Sequence, residues 1–270
     1  MHPPADLMRR FGAREPHLVA ETAAARVWRV RTDGGSAALK LYRRRDMGNE
    51  AAGFDWMRAT DGRACARILA AYGHAALIEW LDGPSLGDLV RAGCDDAAGR
   101  RLARVARRLH GAPPRPMDLP DLGTWFASFD GMHFSPACPA PDLMRRAAAL
   151  AREMLATTTE WRPLHGDLHH DNARRGARGW CAFDAKGVRG DPAYEMANAL
   201  RNPRGAAEII RTPGRIDAMT TLWAQAMGVP RIRLARWAAA KCALSIRWTT
   251  GPRVIDHPDF DLLALLMSRA

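Results

Sequence analysis

The spacing of apolar and polar positions changes partway along the chain, and the change predicts two regions. Residues 26–42 read as a β-hairpin: Val27, Trp28 and Val30 lie in a first strand, Asp33-Gly34-Gly35 turns, and Ser36–Tyr42 returns. On the returning strand Ala37, Leu39 and Leu41 share one face, and Ala38, Lys40 and Tyr42 share the other. A helix is expected after Gly48-Asn49, where Glu50, Phe54 and Met57 recur at i, i+4, i+7 on one side. Two short apolar runs, Arg67–Tyr72 and Ala75–Trp80, flank Gly73-His74 and predict a further strand pair. Asp82-Gly83-Pro84 then breaks the pattern, and the boundary between regions is set there.

From Asp95 onward the period is helical. Leu102, Val105, Ala106 and Leu109 form an apolar stripe, with Arg100, Arg101, Arg104, Arg107 and Arg108 opposite as a solvated face. Residues 111–141 are rich in Pro and Gly and are expected to form a long irregular connection. A helix follows over 142–157, then a dense polar segment over 164–195. Residues 196–267 read as mostly helical, punctuated by Pro203, Pro213, Pro230 and Pro252. Trp223, Trp237 and Trp248 are expected to belong to the helical core.

Composition narrows the classes. With 270 residues, 47% of them hydrophobic, the chain can bury one large core or two modest ones, which excludes intrinsic disorder. No uninterrupted apolar stretch approaches about 18 residues, so no transmembrane helix is expected. The first residues lack an apolar signal core, and the five cysteines are scattered with no CxxC pair; both point to a reducing cytoplasm. Forty basic against 29 acidic residues give a net charge of +11, which admits nucleic acid, an anionic membrane or a phosphorylated substrate as partner. Only Lys40, Lys186 and Lys241 of the forty are lysine. In a chain that otherwise uses arginine each lysine stands out, since arginine cannot replace a compact ammonium on a slim stem where space is tight.

The chemistry concentrates at His165-Gly166-Asp167-Leu168-His169-His170-Asp171-Asn172. Beyond it Gly176 and Gly179 supply a turn, and the run Trp180-Cys181-Ala182-Phe183 ends in Asp184. A hairpin there brings Asp167, Asn172 and Asp184 together. One or two carboxylates with an amide oxygen suit Mg²⁺, and the first Asp is left to accept a hydroxyl proton, as in phosphoryl transfer. On the N-terminal strand, small Ala38 leaves room for a flat base and Lys40, on the same face, reaches phosphate oxygens. Glu50 is placed to pair with that lysine.

Leu164–Asn172, Gly179–Gly187, Gly190–Pro203 and Ala37–Tyr42 together resemble the aminoglycoside phosphotransferase branch of the protein-kinase-like fold, nearest the streptomycin 6-phosphotransferase and hydroxyurea kinase group. The likeness runs from about residue 20 to about 250. It implies an α+β, two-lobed fold with a nucleotide-binding lobe over 1–81 and a helical catalytic lobe over 82–270. It implies ATP and Mg²⁺ as cofactors and a small-molecule hydroxyl as acceptor, with a streptomycin-like aminoglycoside foremost and hydroxyurea or a small metabolite as the alternative. Carried over by position, Asp167 is the catalytic base, and Asn172 and Asp184 hold the metal. Lys40 contacts the phosphates with Glu50 as its partner. Ala38 borders the base, and the hinge Ile78-Glu79-Trp80-Leu81 reads adenine through its backbone. Asp191, Glu195 and His169 fall on the substrate side, and Lys186 matches a basic position of the group. The kinase glycine-rich loop is absent: its place is taken by Glu21-Thr22-Ala23-Ala24-Ala25-Arg26, where Arg26 is a candidate substitute.

Plainer readings stand beside these. Lys40 alone is an ordinary strand lysine, Glu50 a first-turn glutamate favoured by the helix dipole, and Asp191 a backbone cap. His165, His169 and His170 loosely resemble a hydrolase zinc motif, though the order of ligands is wrong. A non-catalytic nucleotide- or nucleic-acid-binding protein would also account for the basic charge.

Overall fold

The computed structural model describes residues 2–111 and 117–270. A short helix α1 (Ala5–Arg10) precedes strands β1 (Arg14–Glu21), β2 (Ala25–Thr32) and β3 (Gly35–Tyr42), helix α2 (Ala51–Thr60) and strands β4 (Ile68–Tyr72) and β5 (Ala75–Glu79). The strands form one antiparallel sheet in the order β1-β2-β3-β5-β4. The alternation in β3 acts as expected. Ala37 and Leu39 join Trp28, Val30 and Leu77 in a small core capped by Met8 and Phe11, while Lys40 lies on the opposite face between Val27 and Ala76. β1 and α1 carry no signal in the sequence. None of the eight β1 residues is buried, so no apolar face repeats along it, and α1 is too short to show a helical period.

The larger region is helical: α3 (Leu86–Arg91), α4 (Asp95–His110), α5 (Leu122–Phe126), α6 (Pro141–Ala156), α7 (Ala207–Ile210), α8 (Pro213–Met227), α9 (Arg231–Thr250) and α10 (Phe260–Met267). Short strands β6 (His133–Phe134), β7 (Arg162–Leu164), β8 (Ala173–Gly176), β9 (Gly179–Ala182), β10 (Val188–Gly190) and β11 (Arg253–Val254) stitch them together. Ser85 and Asp88 form a reciprocal capping box at the start of α3, just past the Asp82-Gly83-Pro84 break. The α4 stripe is buried and its arginines lie outward. α9 is the central helix, buried almost continuously from Leu234 to Ile246 and packed on α6, α8 and α10.

Two expectations change. The connection over 111–141 is not wholly irregular: Leu122, Phe126 and Phe129 stand at i, i+4, i+7, and α5 with the turn after it inserts all three into the core. Residues 112–116 of that connection lie outside the described residues. Trp223 and Trp237 are fully buried, but Trp248 is 46% exposed at the end of α9. Among the described residues no helix is long and apolar enough to cross a membrane, and the five cysteines are free thiols.

Candidate active site

β7 delivers the polar segment into the interior, and three internal contacts shape it. The His165 ring lies fully buried between two backbones. Nε2 donates to Phe183 O at 3.0 Å and Nδ1 accepts from Asp167 N at 3.2 Å. Burial holds this imidazole below its usual pKa, which matches the neutral tautomer those bonds require. The His165 carbonyl accepts from the amides of Lys186 and Gly187, so one residue ties the Asp167 turn to the Asp184 segment. Glu195, also buried, accepts from the His165 and Gly166 amides at 3.0 and 3.2 Å and pairs with His110 Nε2 at 2.7 Å. Burial works to raise its carboxyl, but the His110 contact and the His165 ring and amide hold it below the ordinary value.

The predicted hairpin is present as β8 and β9, and Phe183 N donates to Asn172 O at 3.0 Å just beyond it. Asn172 Nδ2 donates to Asp167 O at 3.0 Å and lies 3.3 Å from Asp167 Oδ2. Its Oδ1 accepts no hydrogen bond among the described residues. Asn198 Nδ2 donates to Asp167 Oδ1 at 2.7 Å, and His169 Nε2 stands 3.9 Å from Oδ2. The Asp167 side chain keeps 22% of its surface open.

Asp184, at a left-handed φ of 59°, meets the N-terminal sheet. Lys40 Nζ donates to Asp184 Oδ1 and Glu50 Oε2, both at 2.6 Å. Lys186 Nζ donates to the other Glu50 oxygen at 2.7 Å and lies 3.7 Å from Asp184 Oδ2. Two glycines permit this. A Cβ on Gly53 of α2 would stand 1.8 Å from Ala185 O, and one on Gly187 would stand 2.3 Å from Ala52 O, so backbone packs directly on backbone. Ala66 N also donates to Ala182 O at 2.8 Å, and Ala182 N to Ala64 O at 2.7 Å, across the same junction. Burial opposes the charges of Lys40, Lys186 and Asp184, yet opposite charges prevail. Lys40 is raised by Asp184, Tyr42 and Glu50, Lys186 is raised by Asp184 and Glu50, and Asp184 is lowered to about 2 by Lys40 and Lys186.

The remaining predicted residues have other surroundings. Asp191 is buried, caps the turn at Ala193 and holds Arg233, while Thr158 donates to it at 3.3 Å; its contacts, like those of Glu195, lie within the protein. Glu79 binds Arg178 through its side chain and Arg67 O through its amide. Leu81 is buried in the large core, and Ala38 sits between Arg29 and Ile78 on the sheet. In the loop that replaces the glycine-rich turn, Thr22 Oγ1 accepts from the amides of Ala24 and Ala25, and Arg26 is held by Glu21. Asn198 as a partner of Asp167 and Lys186 as a partner of Glu50 were not read from sequence, although both lie within the blocks that carried the resemblance.

The donor set fits a hard divalent ion: among the described residues the Asn172 amide oxygen has no partner, and the Asp184 carboxylate is ionised. Zinc is a poor match. Among the described residues no three His, Cys, Asp or Glu side chains converge on one point, His165 is occupied by backbone groups, and His170 packs on Trp223.

Residues 10–251 match the aminoglycoside/hydroxyurea antibiotic resistance kinase family. The chain belongs to that family. It is 36% identical over 231 residues to a streptomycin 3''-kinase of Klebsiella pneumoniae, covering 82% of this chain and 83% of the relative. It is 32% identical over 257 residues to a hydroxyurea phosphotransferase of Kitasatospora aureofaciens, covering 89% and 71%. Among solved structures, amicoumacin kinase hAmiN in complex with AMP-PNP, Ca²⁺ and Ami superposes with a TM-score of 0.65 at 12% identity, covering 98% of this chain and 92% of that one. The chain thus has the two-lobed protein-kinase-like fold, with a sheet-rich first lobe and a helical second lobe, and is a phosphotransferase.

Proposed function

We propose that this kinase transfers the γ-phosphoryl group of ATP, with Mg²⁺, to a hydroxyl of a streptomycin-type aminoglycoside in the cytoplasm. The observation that carries the reading is the convergence of Asp167, Asn172, Asp184, Lys40 and Glu50 from distant parts of the chain, with Lys40 bridging the last two at 2.6 Å. The 3''-kinase relative supports a streptomycin acceptor, and it differs from the 6-phosphotransferases in the hydroxyl named. The nucleotide lobe ends near residue 81, and the acceptor sits on the helical side.

Asn172 and Asp184 would hold Mg²⁺, which when bound would neutralise charge on the phosphates. The chain does the rest by positioning and electrostatics. Lys40, kept charged and fixed by Glu50, presents its ammonium to phosphate oxygens. Asp167, its carboxylate oriented by Asn198 and Asn172, accepts the proton of the attacking hydroxyl at Oδ2, the oxygen with the looser contact. His165 and Glu195 keep the turn in register without touching substrate.

Purified Asp167→Ala assayed for ADP release with streptomycin should lose roughly 10²–10⁴ in kcat, the usual worth of a positioned base. Near-normal turnover would remove the assignment. Hydroxyurea is the second acceptor to test, on the strength of the hydroxyurea phosphotransferase relative. A non-catalytic binding protein would show no acceptor-dependent ADP at all.

A further inference from the structure

Two of the three lysines belong to the Glu50 network. The third, Lys241 on α9, is 5% exposed, and among the described residues it has no carboxylate within ion-pair distance. Its Nζ donates to Ser245 Oγ at 3.1 Å and lies 4.8 Å above the centroid of the Trp248 ring. An ammonium has three donors, so this one leaves hydrogens without an oxygen. The half-exposed Trp248 indole meets Trp125 edge to face at 5.7 Å. Trp125 in turn presses on the catalytic turn, since a Cβ on Gly166 would fall 2.9 Å from its Cη2. The three side chains therefore form one wall beside Gly166-Asp167. Asp167 is the strongest attraction that Lys241 feels, opposed by Arg201 and Lys186.

Four acids that could make a polycation pocket on this side are already engaged, while Asp256 and Asp261 are exposed and have no ion pair among the described residues. Asp171 pairs with Arg91, Asp191 with Arg233, Glu195 with His110, and Asp259 with Arg201 and Arg211. The under-partnered charge beside Asp167 is thus a cation, and a second cation placed against it is repelled. An uncharged oxygen satisfies it without that penalty.

We propose that Lys241 is a specificity-determining residue of the acceptor site, donating a hydrogen bond to an uncharged oxygen of the acceptor, a hydroxyl, ether or carbonyl, next to the hydroxyl that Asp167 deprotonates. This rests on Asp167 being the base. An aminoglycoside then enters with a neutral sugar edge toward Trp248 and Lys241 and its cationic groups turned outward. Burial, which lowers the Lys241 pKa to about 8, weakens the repulsion of a polycation near neutral pH without removing the N–H donors.

The test is ADP release by the full chain with ATP, Mg²⁺ and either streptomycin or hydroxyurea as acceptor, comparing wild type, Lys241→Met, Lys241→Gln and Asp167→Ala. Lys241→Met should raise the acceptor KM by about tenfold or more, the worth of one hydrogen bond to a charged group. The ATP KM should stay within about twofold, because the nucleotide-side lysines are untouched. Lys241→Gln keeps an N–H donor and should recover part of the loss. If Lys241 were only a buried charge near the site, removing it would tighten a polycation, so an unchanged or lowered acceptor KM in an active Lys241→Met overturns the proposal. Should Lys241→Met fail to fold, Lys241→Gln decides: an intermediate rise supports the proposal and an unchanged KM overturns it. If wild type turns over neither acceptor, or Asp167→Ala is undiminished, the underlying reading falls and takes this one with it. An inactive Asp167→Ala beside an unaffected Lys241→Met removes the Lys241 assignment alone.

Discussion

Lys40 and Lys241 are both buried ammonium groups, and their surroundings are opposite. Lys40 has two carboxylates at 2.6 Å, while Lys241 has a serine hydroxyl and an indole face. The first is raised above the ordinary lysine range and the second lowered to about 8. Around Glu50 the charges complete one another within the protein, two ammonium groups against two carboxylates. On the acceptor side the protein leaves a donor without an oxygen, and the missing partner has to come from what binds there.

Breaking the closed side should cost most. Lys40→Met frees Glu50 and Asp184 from their shared cation and should lower kcat by roughly 10²–10³, the scale of a removed electrostatic contact to the reacting group; initial-rate ADP release checks this. Gly53→Ala attacks the same region through its scaffold. The added methyl meets Ala185 O at 1.8 Å, far inside contact distance, and α2 must shift away from Asp184. A loss of about 1–3 kcal/mol is expected, read as a lower denaturant midpoint, together with reduced turnover. A full-strength Gly53→Ala enzyme would show that the backbone contact does not set the geometry of Glu50 and Asp184.

The open side makes a smaller and subtler prediction. Lys241 has a folded pKa of about 8 against an ordinary value of 10.5, so between these the unfolded chain binds more protons. Stability of the wild type should therefore rise with pH across that window. Asp167, Arg201, Cys242 and Lys186 surround this amine, and all persist in Lys241→Met. That variant should melt higher than wild type at pH 7, with the gap narrowing toward pH 10. Parallel melting curves over the whole range would mean that folding does not shift the Lys241 pKa.

Much of the closed side was legible because its signals are local. Lys40 follows from the alternation of one strand, Glu50 from one helical period, and Asp167, Asn172 and Asp184 from a contiguous loop and hairpin. What escaped depends on which surfaces meet. Asp191 and Glu195 read as a substrate-side acidic cluster, yet Arg233 from α9 and His110 from α4 reach them inside the lobe. Lys241 lies on a helix buried on nearly every side, so its period marks no face. Trp248 sits two turns further on the same helix, where the core ends and solvent begins.

All three lysines keep little surface of their own. The exterior, for all its basic charge, is guanidinium throughout, and the described residues present no well-exposed side-chain primary amine. Coupling to amine-reactive beads or dyes is thereby steered away from the outer face. Any acylation that does occur inside the fold falls within the site, on one of three peptides that mass spectrometry can tell apart.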